Sequence, residues 1–172
     1  MLIFDPNCEP AYASGARIVD RELDLIDALR DPACKRILWR GLAAGGLTVE
    51  TFERVNEIAW AAGDLTLVWE EIDRWTGPQK LPPFALALVN QGRHRGVALI
   101  AASRRPARVS RDLTASATRI VAFQVREPRD VAYLREWIGQ EADGLPGLDA
   151  NAYECVAWTD AGGAAKKKSP FA

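Results

Sequence analysis

Short apolar runs alternate with longer stretches of helical periodicity along most of this chain, a pattern that predicts strands alternating with helices. Leu2-Ile3-Phe4, stopped by Asp5-Pro6-Asn7, predicts a strand running into a turn. Ala16-Arg17-Ile18-Val19 predicts a second strand, and Asp20 is placed to cap a helix over residues 21–30. In that helix Leu23, Ile26 and Leu29 share a face, with Leu25 flanking, and Asp31-Pro32 closes it. Arg36-Ile37-Leu38-Trp39 reads as a further strand and Gly41 to Gly46 as a flexible loop. Thr48, with Glu50 and Thr51, opens a helix through Ala62 whose apolar face carries Val49, Phe52, Val55, Ile58 and Ala59, and Gly63 ends it.

Leu65-Thr66-Leu67-Val68-Trp69 has the composition of a buried parallel strand and runs directly into Glu70 and Glu71. A proline-bearing loop over residues 76–83 leads to a helix from about Pro83 to Gln91, stopped at Gly92. Val97 to Ala102 is an uninterrupted apolar run of strand length ending in Ser103-Arg104-Arg105-Pro106. Beyond it the pattern predicts a short helix near residues 112–117 and a strand over 119–125. A helix from Glu127-Pro128 through Ile138 and a last strand over 153–158 follow. The whole series implies an α/β domain with a mainly parallel sheet flanked by helices and joined by right-handed crossovers. A single domain over residues 1–160 is expected, with a flexible basic tail over 161–172 that contains Lys166, Lys167 and Lys168. Because the chain opens directly on a core strand, a segment preceding Met1 in the full reading frame is also expected.

Composition narrows the class of partner. Lys and Arg number 22 against 23 Asp and Glu, so no global charge draws the chain to nucleic acid or to a membrane surface, and any such contact must be local. Cys8, Cys34 and Cys155 are scattered and His94 is the sole histidine, which argues against a zinc site or a disulfide framework and for reduced thiols in the cytoplasm. No apolar run reaches the length of a membrane span, and the amino terminus lacks the basic and apolar regions of an export signal.

Glu70 and Glu71 carry the strongest chemical signal. Adjacent strand residues point to opposite faces, but where a strand ends both can turn into one cleft, and open α/β sheets place ligands at the carboxyl ends of their strands. Taken alone, two acids at a strand end are equally ordinary solvated charges. Arg93, His94 and Arg95 precede the next apolar strand and Arg104 follows it. An arginine fork stays charged and binds phosphoryl oxygens bidentately, although a plain basic loop has the same composition. Arg104, Arg105, Arg108 and Arg111 form a run without an intervening acid that suits phosphate contacts to nucleic acid. No aromatic side chain interleaves it for base stacking. No G-x-x-x-x-G-K-[ST] loop occurs anywhere in the chain.

Five pieces in order resemble the HerA/FtsK-type P-loop ATPases, the DNA-translocating and DNA-packaging motors that include phage and Zot-like members. They are Leu-Ile-Phe-Asp-Pro at 2–6, Leu-Val-Trp-Glu-Glu at 67–71, Gly-Arg-His-Arg-Gly at 92–96, Ser-Arg-Arg-Pro at 103–106, and Ala-Phe-Gln-Val-Arg-Glu-Pro-Arg-Asp at 122–130. The resemblance implies a RecA-like core without its first strand and P-loop, with ATP and Mg²⁺ as cofactors. It implies Glu70 as the metal-side acid of a Walker B element and Glu71 as the catalytic acid. Arg93, or less favourably Arg95, becomes an arginine finger acting on a neighbouring subunit, and Arg104 a nucleotide-side sensor. Arg105, Arg108 and Arg111 are the DNA candidates, and the assembly implied is a homo-oligomeric ring or a complex with a Walker A-bearing partner. Lacking the Walker A lysine and amides that cradle phosphates, the chain alone is expected not to hydrolyse ATP. A non-catalytic ATPase-fold protein that binds DNA or a partner ATPase, and an unrelated doubly wound binding domain, are the alternatives.

Overall fold

The structure, a computed structural model, describes residues 1–41, 47–78 and 80–167. The expected glycine loop after Gly41, Gln79 of the proline-bearing loop and the last five residues of the expected tail lie outside the described residues. Contacts divide the chain into two compact units, Met1–Arg104 and Arg105–Ala172.

The first unit is built on five strands: β1 (Leu2–Phe4), β2 (Arg17–Val19), β3 (Ile37–Trp39), β4 (Thr66–Trp69) and β5 (Ala98–Ala101). All are parallel and lie in the order β2-β3-β1-β4-β5. Four helices connect them, α1 (Pro10–Ala13), α2 (Glu22–Arg30), α3 (Val49–Ala62) and α4 (Pro83–Gln91). The register sets Leu2 beside Ile37 and Leu67, and Phe4 beside Trp39 and Trp69, so two apolar rows face one side of the sheet. Phe52 of α3 fills the space above them, edge-on to Phe4 at 5.2 Å between ring centres and to Trp69 at 5.4 Å. The indole N–H of Trp69 donates to the buried Asn56 of α3 at 2.9 Å. Truncating one such buried ring typically costs about 3–5 kcal/mol, so the ends of β1 and β4 rest on a stiff platform.

Helix α3 begins where the sequence predicts. The Thr51 N–H donates to the Thr48 hydroxyl at 3.1 Å and the Thr48 N–H donates to the Thr51 hydroxyl at 2.7 Å, a reciprocal cap. The helix ends on Gly63 at φ 64°, where a Cβ would fall 2.8 Å from the Arg95 carbonyl oxygen. Helix α4 begins with a proline as predicted, but its cap comes from elsewhere: the Glu53 carboxylate of α3 accepts the N–H groups of Phe84 and Ala85 at 2.5 and 3.2 Å.

Three local expectations are corrected. The cap of α2 is Arg21 in extended backbone with no side-chain bond, so Asp20 does not cap it. Gly92 does not stop the chain's helical course, which continues as a 3-10 turn over Gly92–Arg95 and ends on Gly96 at φ 71°. Helix α1 was not anticipated, because its four residues are too few to show periodicity.

The second unit holds α5 (Arg111–Ala115), β6 (Arg119–Ala122), α6 (Pro128–Ile138), β7 (Cys155–Thr159) and β8 (Gly163–Lys167). Its three strands form an antiparallel sheet in the order β6-β7-β8, so the parallel expectation holds for the five-stranded sheet and not for these. The strand expected over 153–158 starts only at Cys155, since Tyr153 has φ 53° and breaks the extended backbone. Residues 163–167, assigned from sequence to the mobile tail, are corrected to a strand held by β7. A 3-10 stretch over Gly139–Gly147 and α6 contribute Leu134, Ile138, Ala142 and Leu145 to a core shared with Ala122, Leu148 and Val156. No described helix is long and apolar enough to cross a membrane.

Candidate functional site

Where β1, β4 and β5 end, their next residues converge: Asp5 and Asn7 after β1, Glu70 and Glu71 after β4, Ser103 and Arg104 after β5. Together with Glu9 and Tyr12 they line a cleft of ≈ 330 Å³ within the first unit. The carboxyl ends of parallel strands are where open α/β sheets bind ligands, and here the two acids singled out in the sequence lie on the central part of the sheet.

The two acids have different surroundings. The Glu70 carboxylate is half-buried and accepts the Tyr12 hydroxyl at 2.6 Å; among the described residues it has no cationic partner. That hydrogen bond, followed by burial and by the charges of Glu70, Asp5 and Glu9, pushes the Tyr12 hydroxyl up to about 12. Glu71 is buried at 5% exposure and sits in left-handed backbone, φ 50° and ψ 49°. Its carboxylate accepts the Arg74 guanidinium at 2.8 Å and pairs on its other oxygen with Arg104. Burial alone would push the Glu71 carboxyl up; hydrogen bonds from Asn7 and Arg74, with the charges of Arg104 and Arg74, more than offset it and hold the group below the ordinary value. Glu71 therefore stays an anion at neutral pH. The left-handed turn is what aims it into the cleft beside Glu70, since continued strand geometry would send it to the opposite face.

Asp5 anchors the wall of the cleft. It is fully buried, pairs with Arg40 at 3.0 Å and accepts the Glu9 N–H at 3.1 Å, which ties the start of α1 to the end of β1. Arg40 also donates to the Glu9 carbonyl at 3.2 Å. The Ser103 hydroxyl donates to Asp73 at 2.6 Å and so joins the segments that follow β4 and β5.

The remaining sequence candidates separate by position. Arg104 reaches Glu71 while its side chain stays 79% exposed at the mouth of the cleft. Arg93 lies at the other end of β5, exposed on the 3-10 turn before the strand, so at ~3.3 Å per residue the four residues of β5 alone separate it from Glu71 by about 13 Å. Within one chain it does not meet the acids. Arg95 is engaged structurally: its guanidinium donates to the carbonyls of Trp60 and Ala61 at 3.0 and 3.3 Å and lies over the Trp60 ring. In the second unit Arg105 pairs with the buried Asp130 at 2.9 Å. Arg111 pairs with Glu136 at 2.7 Å and lies over Tyr133 and Trp137, whereas Arg108 is exposed. Tyr12, Arg40, Asn7 and Ser103 were not singled out from sequence. Of these Asn7 carried a signal as part of the turn that ends β1, and Ser103 as the first polar residue after the apolar run of β5.

The group chemistry fits part of what the resemblance implies. Among the described residues no three His, Cys, Asp or Glu side chains cluster closely enough to hold a metal alone. Mg²⁺ beside phosphates needs only one or two carboxylates with water, and Glu70, without a cationic partner among the described residues, meets that demand. Among the described residues nothing lining the cleft supplies the run of glycine amides and the lysine that hold a triphosphate.

No protein-family model matches the chain. No curated protein matches it. Among solved structures it is similar to the genome packaging NTPase B204 from Sulfolobus turreted icosahedral virus 2 in complex with ATP-gammaS. The TM-score is 0.79 and the identity 18%, over 98% of this chain and 81% of that one. The same NTPase in complex with AMPPCP gives 0.78 and 17%, over 98% and 82%. The DNA-packaging ATPase B204 from Sulfolobus turreted icosahedral virus gives 0.76 and 18%, over 98% and 82%. At this identity the likeness establishes a shared fold.

Proposed function

We propose that this chain carries the hydrolytic half of a DNA-translocating or DNA-packaging ATPase of the HerA/FtsK type, and that another polypeptide segment supplies the phosphate cradle. The observation that carries the reading is the placement of Glu70 and Glu71 side by side at the end of β4, facing Arg104 from the end of β5. In it Glu71 is the catalytic acid that polarises the attacking water, Glu70 faces Mg²⁺, and Arg104 contacts the nucleotide phosphates once drawn from Glu71. Arg93, remote from these groups in its own chain and without an ion pair among the described residues, acts on a neighbouring copy in a ring. The fold shared with packaging NTPases solved with nucleotide analogues supports ATP as the ligand. DNA contacts fall first to Arg108, because Arg105 and Arg111 are paired with acids.

The test is ATP turnover by the 172-residue chain, alone and mixed with a Walker A-bearing fragment. The chain alone is expected to be silent and the mixture to hydrolyse ATP in a manner abolished by Glu71→Gln. Steady Mg²⁺-dependent hydrolysis by the chain alone, lost in Glu71→Gln, overturns the proposal. One observation favours a second reading, a non-catalytic partner of a complete ATPase: Glu71 is already neutralised by two arginines. That reading requires stimulation of a complete ATPase that survives Glu71→Gln and is lost in Arg93→Ala.

A further inference from the structure

Helix α1 is held at both ends although it has only four residues. A single turn cannot keep itself folded by its own hydrogen bonds, so the tethers are what maintain it. Its cap residue Glu9 donates its N–H to Asp5 at 3.1 Å and offers its carbonyl to Arg40 at 3.2 Å. Just past the other end, the Ser14 carbonyl accepts the Arg36 guanidinium at 3.2 Å. Asp5, Arg36 and Arg40 directly flank β1 and β3, so the sheet itself sets the position of α1. No residue of α1 is buried, and the helix adds little to the core. What it carries into the cleft is Tyr12, whose hydroxyl donates to Glu70 Oε1 at 2.6 Å. That is the length of a charge-assisted bond from a hydroxyl to an ionised carboxylate.

Glu70 is fixed around that bond. Its N–H donates to the Phe4 carbonyl at 3.3 Å and its own carbonyl accepts the Trp75 indole at 3.3 Å, so its main chain cannot shift without breaking a contact to the core. With Oε1 taken by Tyr12, Oε2 has no partner among the described residues and is the oxygen left to the cleft. The other carboxylates there are differently placed: Asp5 is held by Arg40, Glu71 by Arg74 and Arg104, and Glu9 is exposed. Glu70 is thereby restricted to offering one oxygen. Mg²⁺ suits such an offer, because it keeps several waters in a strict octahedron, whereas Ca²⁺ gathers more oxygens at longer range and often takes both from one carboxylate. We propose that Tyr12 is a positioning residue that sets metal selectivity at the cleft: by holding Oε1 of Glu70 it leaves a single oxygen for a divalent cation and so favours Mg²⁺ over Ca²⁺. The role assigned to Tyr12 rests on the functional reading above for a metal at Glu70, and adds which residue chooses that metal. A hydroxyl that orients a metal ligand does so without touching the ion, and losing such a contact typically lowers affinity by about tenfold or more.

The experiment uses the full chain with Tb³⁺ as the probe ion, because the Trp75 indole beside Glu70 passes its excitation to an ion bound there. The difference in Tb³⁺ luminescence between the parent and Glu70→Gln isolates binding at Glu70. Mg²⁺ and Ca²⁺ are then titrated separately to displace the probe, in the parent and in Tyr12→Phe, which keeps the ring and loses only the hydroxyl. Circular dichroism confirms that each variant is folded. The expected result for Tyr12→Phe is about tenfold weaker displacement by Mg²⁺, with displacement by Ca²⁺ unchanged or stronger. In the Glu70→Gln background the same substitution is expected to leave the luminescence unchanged. An equal change for both ions in Tyr12→Phe, or no change for either, overturns the proposal, because Tyr12 is then a tether and no more; the functional reading survives that result. Absence of any luminescence that depends on Glu70 overturns the proposal and removes Glu70 from the metal in the functional reading as well. The selectivity shift without ATP turnover by the mixture with a Walker A-bearing fragment keeps the role of Tyr12 and defeats the hydrolytic reading.

Discussion

At the amino-terminal end of β5, Arg95 closes the last turn of α3 through the carbonyls of Trp60 and Ala61, and its neighbour Arg93 has solvent around it. At the carboxyl-terminal end, Arg104 meets the buried Glu71, and Ser103 is tied to Asp73. One end of the strand holds a helix in place, and the other gathers ionisable groups from three strand ends into a cleft. The contrast follows from direction: parallel strands align their carboxyl ends, so only there do successive loops face one another. Charge in the sequence around β5 is similar at both ends, and topology decides which arginines meet carboxylates.

The largest break in this contrast is expected from Asp5→Ala. Removing the buried acid leaves Arg40 without its partner at the cleft wall, and loss of one member of a buried pair costs about 3 kcal/mol or more. Urea unfolding should register that loss. At the opposite end, Gly96→Ala forces a Cβ onto a residue at φ 71°, within 2.1 Å of the Asp64 carboxylate oxygen. Such a strained substitution is expected to lower stability by about 2 kcal/mol in the same assay. Next, Arg95→Ala removes two carbonyl contacts and a cation–ring contact and should cost about 1 kcal/mol. Arg93→Ala should stay within about 0.5 kcal/mol of the parent, which separates the structural arginine from the free one.

Two smaller effects sharpen the cleft. Glu71 has its pKa lowered by folding, so its contribution to stability is complete above the ordinary value of 4.5 and is lost as pH falls through the folded value. Melting temperatures should therefore drop more steeply below pH 4.5 in the parent than in Glu71→Gln. Tyr12 is raised to about 12, so one of the three tyrosines should titrate late in phenolate absorbance, and Tyr12→Phe should remove that late step. Between pH 10 and that value the unfolded chain loses this proton first, so the Tyr12 hydroxyl stabilises the fold less as pH rises.

The elements that sequence pattern foretold are those with their own local signal. Helix α3 carried its cap, its stripe and its terminal glycine in order, and β4 carried an apolar run closed by two acids. Strand β8 had no such signal: Gly163, two alanines and two lysines become extended because β7 offers a ladder, and strand preference is largely a matter of neighbours. The cleft was legible as Glu70, Glu71 and Arg104. Tyr12 was not, because its contact with Glu70 spans 58 residues and arises only when α1 folds over the ends of β1 and β4. Arg105 and Arg111 illustrate the converse, since a run of arginines reads as a basic patch until Asp130 and Glu136 of α6 are seen to receive two of them.

The backbone at Glu71 has a consequence for how such a chain drifts. Left-handed geometry suits glycine or asparagine, and a glutamate there works against its own main chain by about 1 kcal/mol or more. Random substitution at this codon therefore includes changes that relax the turn while deleting the carboxylate. A population under selection for folding alone has no reason to hold the acid, and under selection for chemistry it has no substitute. Sampling residue 71 across natural variants thus reads out directly which pressure the cleft is under.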